Sequence, residues 1–172
     1  EANQPMFSKD KRYSILFNGE IYNFKAIRQE LEELGLTFET SGDTEVILQA
    51  YIQWGTDIFE RLNGMFSIAI FDFQHEEVIL ARDRLGIKPL FYHNSTDSFA
   101  FSSEIKSLIH LSDSELQLNL DSLFSYLCFR YSVSGESLFS GFFSFPAGCW
   151  MKIRDSKIIK KERYWNLSNY AN

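Results

Sequence analysis

The feature that most constrains the fold is a series of four short β-forming segments near the middle of the chain. The segments span residues 65–73, 78–82, 90–93 and 99–102. Polar turn residues at 74–77 and 94–97 join them in pairs, and such short links connect neighbouring antiparallel strands. The first segment is apolar on both faces, so we expect it to be buried on both. The sequence therefore predicts mainly antiparallel β-structure.

Segments with helical periodicity lie on both sides of this series, which makes the expected fold class α+β. A first helix is predicted over 24–34, with Asn23 as its cap and Gly35 just beyond its end. A second is predicted over 44–54, with Asp43 as a natural N-cap.

Other segments give shorter signals. Helical turns are predicted over 57–62, 102–109 and 120–129, and strands over 13–18, 36–40, 149–153 and 157–161. The helix at 120–129 is expected to turn Leu123, Tyr126 and Leu127 inward, with Cys128 beside them in the core. The last two strands are expected to form a hairpin that turns at 155–156.

Composition limits the class of protein. The 172 residues, of which 45% are hydrophobic and 17 are phenylalanine, suffice for one domain with a sizeable core. A net charge of −6 without a basic cluster argues against a nucleic-acid partner, and no apolar run approaches the ~20 residues that span a bilayer. Cys128, Cys149 and the three histidines show no metal-ligand or disulfide spacing, so we expect no metal and a reduced, cytoplasmic setting.

The stretch Asn-Gly-Glu-Ile-Tyr-Asn at 18–23 lies between a predicted strand and a predicted helix. An Asn side chain offers two N–H donors, and a glycine after it leaves its backbone N–H open to a ligand. Asn18 and Gly19 could thus form an oxyanion hole. Asn-Gly is also the commonest short hairpin turn, so spacing alone leaves both interpretations open.

Several charged residues have simpler structural interpretations. Asp83 and Arg84 are expected to form a structural ion pair at a turn rather than a catalytic pair. Glu104, in Ser-Ser-Glu, is expected to be a first-turn helix charge. Asp43, taken alone, is more often only a helix cap.

Five segments in register resemble the glutamine amidotransferase domain of asparagine synthetases. They are 18–23 (Asn-Gly-Glu-Ile-Tyr-Asn), 41–45 (Ser-Gly-Asp-Thr-Glu), 63–67 (Asn-Gly-Met-Phe-Ser), 81–90 (Ala-Arg-Asp-Arg-Leu-Gly-Ile-Lys-Pro-Leu) and 102–108 (Ser-Ser-Glu-Ile-Lys-Ser-Leu). Their order and spacing also match, and the resemblance covers about residues 4–166. The segment Phe-Pro-Ala-Gly at 145–148 replaces a commoner Pro-Pro-Gly, which leaves the ammonia acceptor less well defined.

The resemblance implies a four-layer α/β/β/α sandwich of the N-terminal-nucleophile hydrolase type, with two mainly antiparallel sheets. It also implies hydrolysis of glutamine to glutamate and ammonia. The ammonia would pass to a C-terminal synthetase domain of the same chain, which uses ATP and Mg to amidate aspartate, and a homodimer is compatible with this arrangement. Related enzymes deliver ammonia to another acceptor such as a sugar, and some relatives keep the fold without the nucleophile.

The same resemblance assigns roles to four residues. Asn18 and Gly19 would form the oxyanion hole, and Glu20 and Asp43 would hold the α-amino group of glutamine. A cationic amine in a partly dry pocket needs an acidic partner, because its desolvation otherwise costs several kcal/mol.

The family's nucleophile is a Cys at the mature N-terminus, whose own α-amine acts as the base. This sequence begins with Glu1, so the resemblance implies an N-terminally truncated domain over 1–172 that lacks the Cys, the first strands and an Arg for glutamine's carboxylate. We expect such a fragment to bind no cofactor and to release no ammonia from glutamine. We also expect it to self-associate through an unpaired sheet edge near 13–18.

Overall fold

The computed structural model describes residues 3–111, 116–131 and 135–169. Glu1, the first residue of the sequence, lies outside these ranges. The described residues form two compact units, one from 3–88 with 147–169 and the other from the described part of 89–146.

The described residues form nine strands and five α-helices. In chain order, the strands are β1 (Met6–Phe7), β2 (Tyr13–Ile21), β3 (Gly64–Asp72), β4 (Glu77–Arg82), β5 (Phe91–Asn94), β6 (Phe99–Ser102), β7 (Phe142–Ser144), β8 (Cys149–Arg154) and β9 (Lys157–Arg163). The helices are α1 (Phe24–Glu33), α2 (Asp43–Trp54), α3 (Ile58–Arg61), α4 (Ile105–Leu111) and α5 (Leu120–Phe129).

A six-stranded sheet in the order β1-β2-β3-β4-β8-β9 forms the centre of the first unit. Every pairing described in it is antiparallel, which confirms the predicted strand arrangement. Residues 66–70 of β3 are buried at both odd and even positions, as expected for a strand that is apolar on both faces. The terminal hairpin is also confirmed, and Asp155 and Ser156 adopt the positive φ angles that a tight hairpin turn requires.

The core of the first unit lies between the sheet and the helices α1 and α2. Alternate residues of β2 (Ile15, Phe17 and Ile21) pack into the same apolar cluster as Ile27 of α1 and Ile47 of α2. Burial of each such side chain stabilises the fold by roughly 1.5–3 kcal/mol. This packing holds the start of α2 beside the last residues of β2.

The ends of α1 are held by specific hydrogen bonds. At its end, the Gly35 N–H donates to the Glu32 carbonyl (2.9 Å) and the Leu36 N–H to the Leu31 carbonyl (3.0 Å). This is a Schellman motif, and it confirms the predicted stop. At its start, Asn23 occupies the N-cap position, but its side chain makes no capping bond and instead contacts backbone groups before β3.

The strand predicted over 36–40 is absent, and this prediction is wrong. The backbone N–H groups of Glu39 and Thr40 donate to the Glu45 carboxylate at 2.8 and 2.6 Å. A side chain from the first turn of α2, rather than a neighbouring strand, therefore satisfies these donors, and the segment forms a loop.

The second unit contains a three-stranded antiparallel sheet in the order β6-β5-β7, together with α4 and α5. Helix α5 has the predicted bounds, but its orientation differs from the prediction. Ser122 is fully buried, whereas Tyr126, Leu127 and Cys128 are exposed. The helical spacing of apolar residues predicted the helix correctly, but of the four residues predicted to face the core only Leu123 is half-buried. Glu104 precedes the first residue of α4, so it is not a first-turn charge.

Acid is expected to destabilise the first unit through the buried carboxylates of Asp72 and Glu77. Burial alone would raise both pKa values, but hydrogen bonds from Arg12 to Asp72, and from Lys152 and Arg154 to Glu77, hold each pKa below its ordinary value. A carboxyl group with a folded-state pKa below its unfolded-state pKa stabilises the fold above about pH 4 and loses that stabilisation as the pH falls through the folded-state pKa. The free energy of unfolding in urea should therefore hold steady from pH 7 to about 5 and fall below pH 4.

The variant Asp72→Asn serves as the control for this prediction. It should be less stable than the wild type at neutral pH and should lose less stability on acidification. A wild-type protein as stable at pH 3 as at pH 7 would contradict the assignment.

Candidate functional site

Asn18, Gly19 and Glu20 lie inside β2, opposite Ser67, Phe66 and Met65 of β3. The strand continues to Ile21, three residues beyond its predicted end. The hairpin interpretation of Asn-Gly is therefore wrong, because both residues belong to a ladder and form no turn.

Two glycines allow β2 and β3 to approach closely at this point. A Cβ on Gly19 would lie 2.1 Å from the Met65 carbonyl oxygen, and a Cβ on Gly64 would lie 2.2 Å from the Glu20 carbonyl oxygen. Both distances are far shorter than a van der Waals contact, and the opposing atoms are backbone atoms that cannot turn away. Each position therefore requires glycine to keep the strand pairing.

The hydrogen-bond pattern of β2 shows where the Gly19 N–H points. In an antiparallel ladder, successive residues direct their backbone groups to opposite sides of the strand. The N–H and C=O of Phe17 bond the Gln4 side-chain amide, both at 2.7 Å, on the side away from β3. Ile21 directs its N–H to that same side and donates to the Asp43 carboxylate at 3.1 Å. Gly19 lies midway between them, so its N–H also points to the outer side.

The opposite strand supports this assignment. Phe66 is the partner of Gly19, and its N–H donates to the Asp83 carboxylate at 3.2 Å while its C=O accepts from the Asp83 N–H at 2.9 Å. Both backbone groups of Phe66 are thus used on the side away from β2. The Gly19–Phe66 pair is a non-hydrogen-bonded pair of the ladder, and the Gly19 N–H is directed out of it.

The outer edge of β2 is partly covered along its first half. β1 pairs with Ser14 and Ile15, and the Gln4 amide takes the place of a strand opposite Phe17. The predicted unpaired edge at 13–18 is therefore wrong for these three residues.

Asp43 is brought to the same edge by α2. It is the first residue of the helix rather than its cap, since Gly42 holds the N-cap position and no side-chain capping bond forms there. The prediction of Asp43 as N-cap is therefore wrong by one position. Its carboxylate accepts from Ile21 and lies at the positive end of the helix dipole, which favours a negative charge.

The structure thus brings all four predicted site residues to one edge. Asn18 and Glu20 are exposed on β2, the Gly19 N–H points outward between them, and half-buried Asp43 lies against Ile21, one residue beyond Glu20. A carboxylate-rich end beside N–H donors can accommodate a ligand that carries an ammonium group at one end and a carbonyl at the other.

Other candidate residues have structural roles. The Asp83 carboxylate is 1% exposed and accepts four backbone N–H groups, whereas Arg84 donates to the carbonyls of Glu60 and Leu62. The predicted Asp83–Arg84 ion pair is wrong, because each side chain binds backbone groups instead. Among the described residues, no group of three or more His, Cys, Asp and Glu could hold a metal ion. In the same part of the chain, no helix has the length and apolar character needed to cross a bilayer.

Sequence reasoning missed the contacts of two residues that shape the site. Glu45 organises the loop before Asp43, and Asp83 organises the turn after β4. The only sequence signal for either was its place within a matching segment.

Comparison with known proteins identifies the class of protein. Residues 1–165 match the family described as glutamine amidotransferase domain, and the chain belongs to that family.

The curated relatives include two asparagine synthetases of Bacillus subtilis strain 168. Asparagine synthetase [glutamine-hydrolyzing] 3 is 37% identical over 98% of this chain and 28% of its own length. Asparagine synthetase [glutamine-hydrolyzing] 1 is 35% identical over 97% of this chain and 26% of its own length. The chain therefore spans about a quarter of these relatives.

Solved structures support the fold. Glutamine phosphoribosylpyrophosphate amidotransferase from B. subtilis, complexed with ADP and GMP, matches with a TM-score of 0.62 at 22% identity, over 94% of this chain and 32% of that one. A glutamine aminotransferase class-II domain protein from Silicibacter pomeroyi matches with a TM-score of 0.51 at 16% identity, over 90% and 68% of the two chains. At these identities the likeness concerns the fold alone.

Proposed function

We propose that this chain is the glutaminase part of a glutamine-hydrolysing asparagine synthetase. The observation that carries the proposal is the outer edge of β2, where the outward Gly19 N–H lies two residues from Ile21, whose own N–H donates to Asp43. The similarity to asparagine synthetases along nearly the whole chain supports the choice among amidotransferases.

In this proposal, Asn18 and Gly19 donate hydrogen bonds to the oxyanion that forms when a thiolate attacks the side-chain amide of glutamine. The Gly19 donor is held in place before the reaction by the β2–β3 ladder, so little reorganisation of this group accompanies the charge that develops. Glu20 and Asp43 hold the α-ammonium group, which fixes the amide over the donors. The thiolate is supplied by a Cys at the mature N-terminus, as in the family, whose α-amine takes up the thiol proton. Collapse of the oxyanion intermediate breaks the C–N bond of the amide and expels ammonia, which receives that proton from the α-amine. The thioester that remains is hydrolysed by water to glutamate.

The remaining features of the proposal come from the resemblance. The fold of the complete domain would be the four-layer α/β/β/α sandwich of the N-terminal-nucleophile hydrolase type. Ammonia would pass to a C-terminal domain that uses ATP and Mg to amidate aspartate, in a cytoplasmic enzyme that forms homodimers. The glutaminase step itself would need no cofactor.

The test is a glutaminase assay on the full-length gene product, with ammonia and glutamate as readouts. Release of both from glutamine, lost when the N-terminal Cys is alkylated, is the expected result. An acceptor screen with aspartate or an amino-sugar precursor then identifies the amidated product. A gene that encodes no Cys at the mature N-terminus would overturn the catalytic proposal in favour of a non-catalytic domain.

Replacing Asp43 with asparagine is expected to raise the KM for glutamine by about 10–100-fold while kcat changes little. The charged partner of the ammonium is lost, and hydrogen bonds to charged groups contribute roughly 1.5–3 kcal/mol. The amide oxygen of the new side chain can still accept from Ile21, so the melting temperature should stay near that of the wild type.

The matched control is Asp57→Asn, which removes an exposed carboxylate from the start of another helical segment. It should leave KM unchanged. A large drop in melting temperature with an unchanged KM in Asp43→Asn would show that Asp43 serves only the fold.

A further inference from the structure

Glu45 holds the loop that leads into the candidate site. Its side chain is 7% exposed, and its carboxylate accepts from the Glu39 N–H at 2.8 Å and from both the N–H and the hydroxyl of Thr40 at 2.6 Å each. Burial alone would raise the pKa of Glu45, but the hydrogen bonds from Thr40 and Glu39 hold it below its ordinary value. The carboxylate is thus ionised at neutral pH and accepts three hydrogen bonds at once.

The same loop is held from a second side by α1. The Arg28 guanidinium donates to the Thr40 carbonyl at 2.7 Å and lies 4.5 Å from the centre of the Phe38 ring. It also pairs with Glu32, one turn further along its own helix, at 2.8 Å. The backbone at Thr40 is therefore bound through its N–H to α2 and through its C=O to α1.

Asp43 lies three residues after Thr40, whose backbone is bound to both helices. Only Ser41 and Gly42 separate Thr40 from Asp43, and Gly42 is extended. Glu45 itself lies two residues after Asp43 in the first turn of α2. The hydrogen bonds of Glu45 therefore link the segment before Asp43 to the helix that begins at Asp43, and they close a short loop that contains Asp43.

We infer that Glu45 is a positioning residue. It holds the Asp43 carboxylate where that carboxylate meets the ammonium group of the substrate. The inference rests on the proposed function, since it requires that Asp43 contact glutamine. Without the Glu45 carboxylate, the loop samples other conformations, and the substrate must order it on binding. The variant therefore binds substrate more weakly while kcat changes little, because the oxyanion donors on β2 do not depend on the contacts of Glu45.

The experiment compares Glu45→Gln with Asp72→Asn in the full-length gene product. Asp72 is a matched control, since it is also a nearly buried carboxylate in the first unit that accepts two backbone N–H groups, those of Gln74 and His75. Glu45→Gln should raise the KM for glutamine by about three- to tenfold, with kcat within about twofold of wild type. Asp72→Asn should lower the melting temperature by a comparable amount and leave KM unchanged.

A purely structural role for Glu45 makes a different prediction. If Glu45→Gln lowers the melting temperature but leaves KM at the wild-type value, the inference is wrong. Should Glu45→Gln fail to fold, Thr40→Val removes one of the three hydrogen bonds while the backbone bonds remain. A higher KM for glutamine in Thr40→Val supports the inference, and an unchanged KM overturns it.

Asp43→Asn separates this inference from the proposed function. If KM is raised in Asp43→Asn but not in Glu45→Gln, Asp43 binds substrate and only the positioning role of Glu45 fails. If neither variant changes KM, both the positioning role of Glu45 and the assignment of Asp43 to the glutamine site fail.

Discussion

Replacing Asn18 with alanine is expected to lower kcat for glutamine hydrolysis by about 10²–10³-fold, the usual effect of removing one oxyanion donor. Asn18 lies on β2 beside the outward N–H of Gly19, and the strand is paired along its whole length with β3. The removed side chain is exposed, so stability should change little. The measurement is steady-state release of glutamate, with KM determined separately.

The control is Leu16→Ala, which shortens an exposed side chain on the same face of the same strand, two residues earlier. Its kcat should match the wild-type value. Synthesis driven by added ammonium should persist in Asn18→Ala, because free ammonia bypasses the site. A wild-type kcat in Asn18→Ala would remove Asn18 from the oxyanion hole.

Local signals in the sequence predicted most elements of this fold. The periodicity of apolar residues predicted α1, α2 and α5, and the four central segments are strands as expected. These elements are determined by residues close in sequence, such as Gly35, whose positive φ ends α1. Such signals are independent of how the elements pack.

The wrong predictions arose where tertiary contacts decide the structure. The segment at 36–40 has β-forming residues, but the carboxylate of Glu45 binds the backbone donors that a strand would need for pairing. The Asn-Gly pair has turn-forming residues, yet two glycines on facing strands let the ladder continue through it. Contacts outside each segment overrode local propensity in both places.

In the candidate site, too, the sequence predicted which residues take part but not how tertiary contacts arrange them. Resemblance supplied the identities of Asn18, Gly19, Glu20 and Asp43, but their geometry depends on strand register. The direction of the Gly19 N–H follows from the bonds made by Phe17 and Ile21, and a register shifted by one residue would turn it into the ladder. The sequence contains no signal for that register beyond the glycines themselves.

Replacing Asp83 with asparagine is expected to destabilise the protein by about 2–6 kcal/mol. One carboxylate oxygen accepts from Leu85 and Ile87 at 3.1 and 2.9 Å, and the other accepts from Phe66 and Lys88 at 3.2 and 2.9 Å. An amide has only one acceptor oxygen, so two backbone N–H groups lose their partner and face an NH₂ group instead. Each buried donor left unsatisfied costs roughly 1–3 kcal/mol.

The measurement is urea unfolding at neutral pH, with Asp57→Asn as an exposed control that should stay within about 0.5 kcal/mol of wild type. The loss should be larger than that of Asp43→Asn, because an amide oxygen can keep the bond from Ile21 to position 43, whereas both oxygens of Asp83 accept backbone bonds. Since Phe66 is the strand partner of Gly19, the folded fraction of Asp83→Asn should also show weakened glutaminase activity. Wild-type stability in Asp83→Asn would mean that the turn after β4 finds other acceptors, and that Asp83 does not hold β3 in place behind the site.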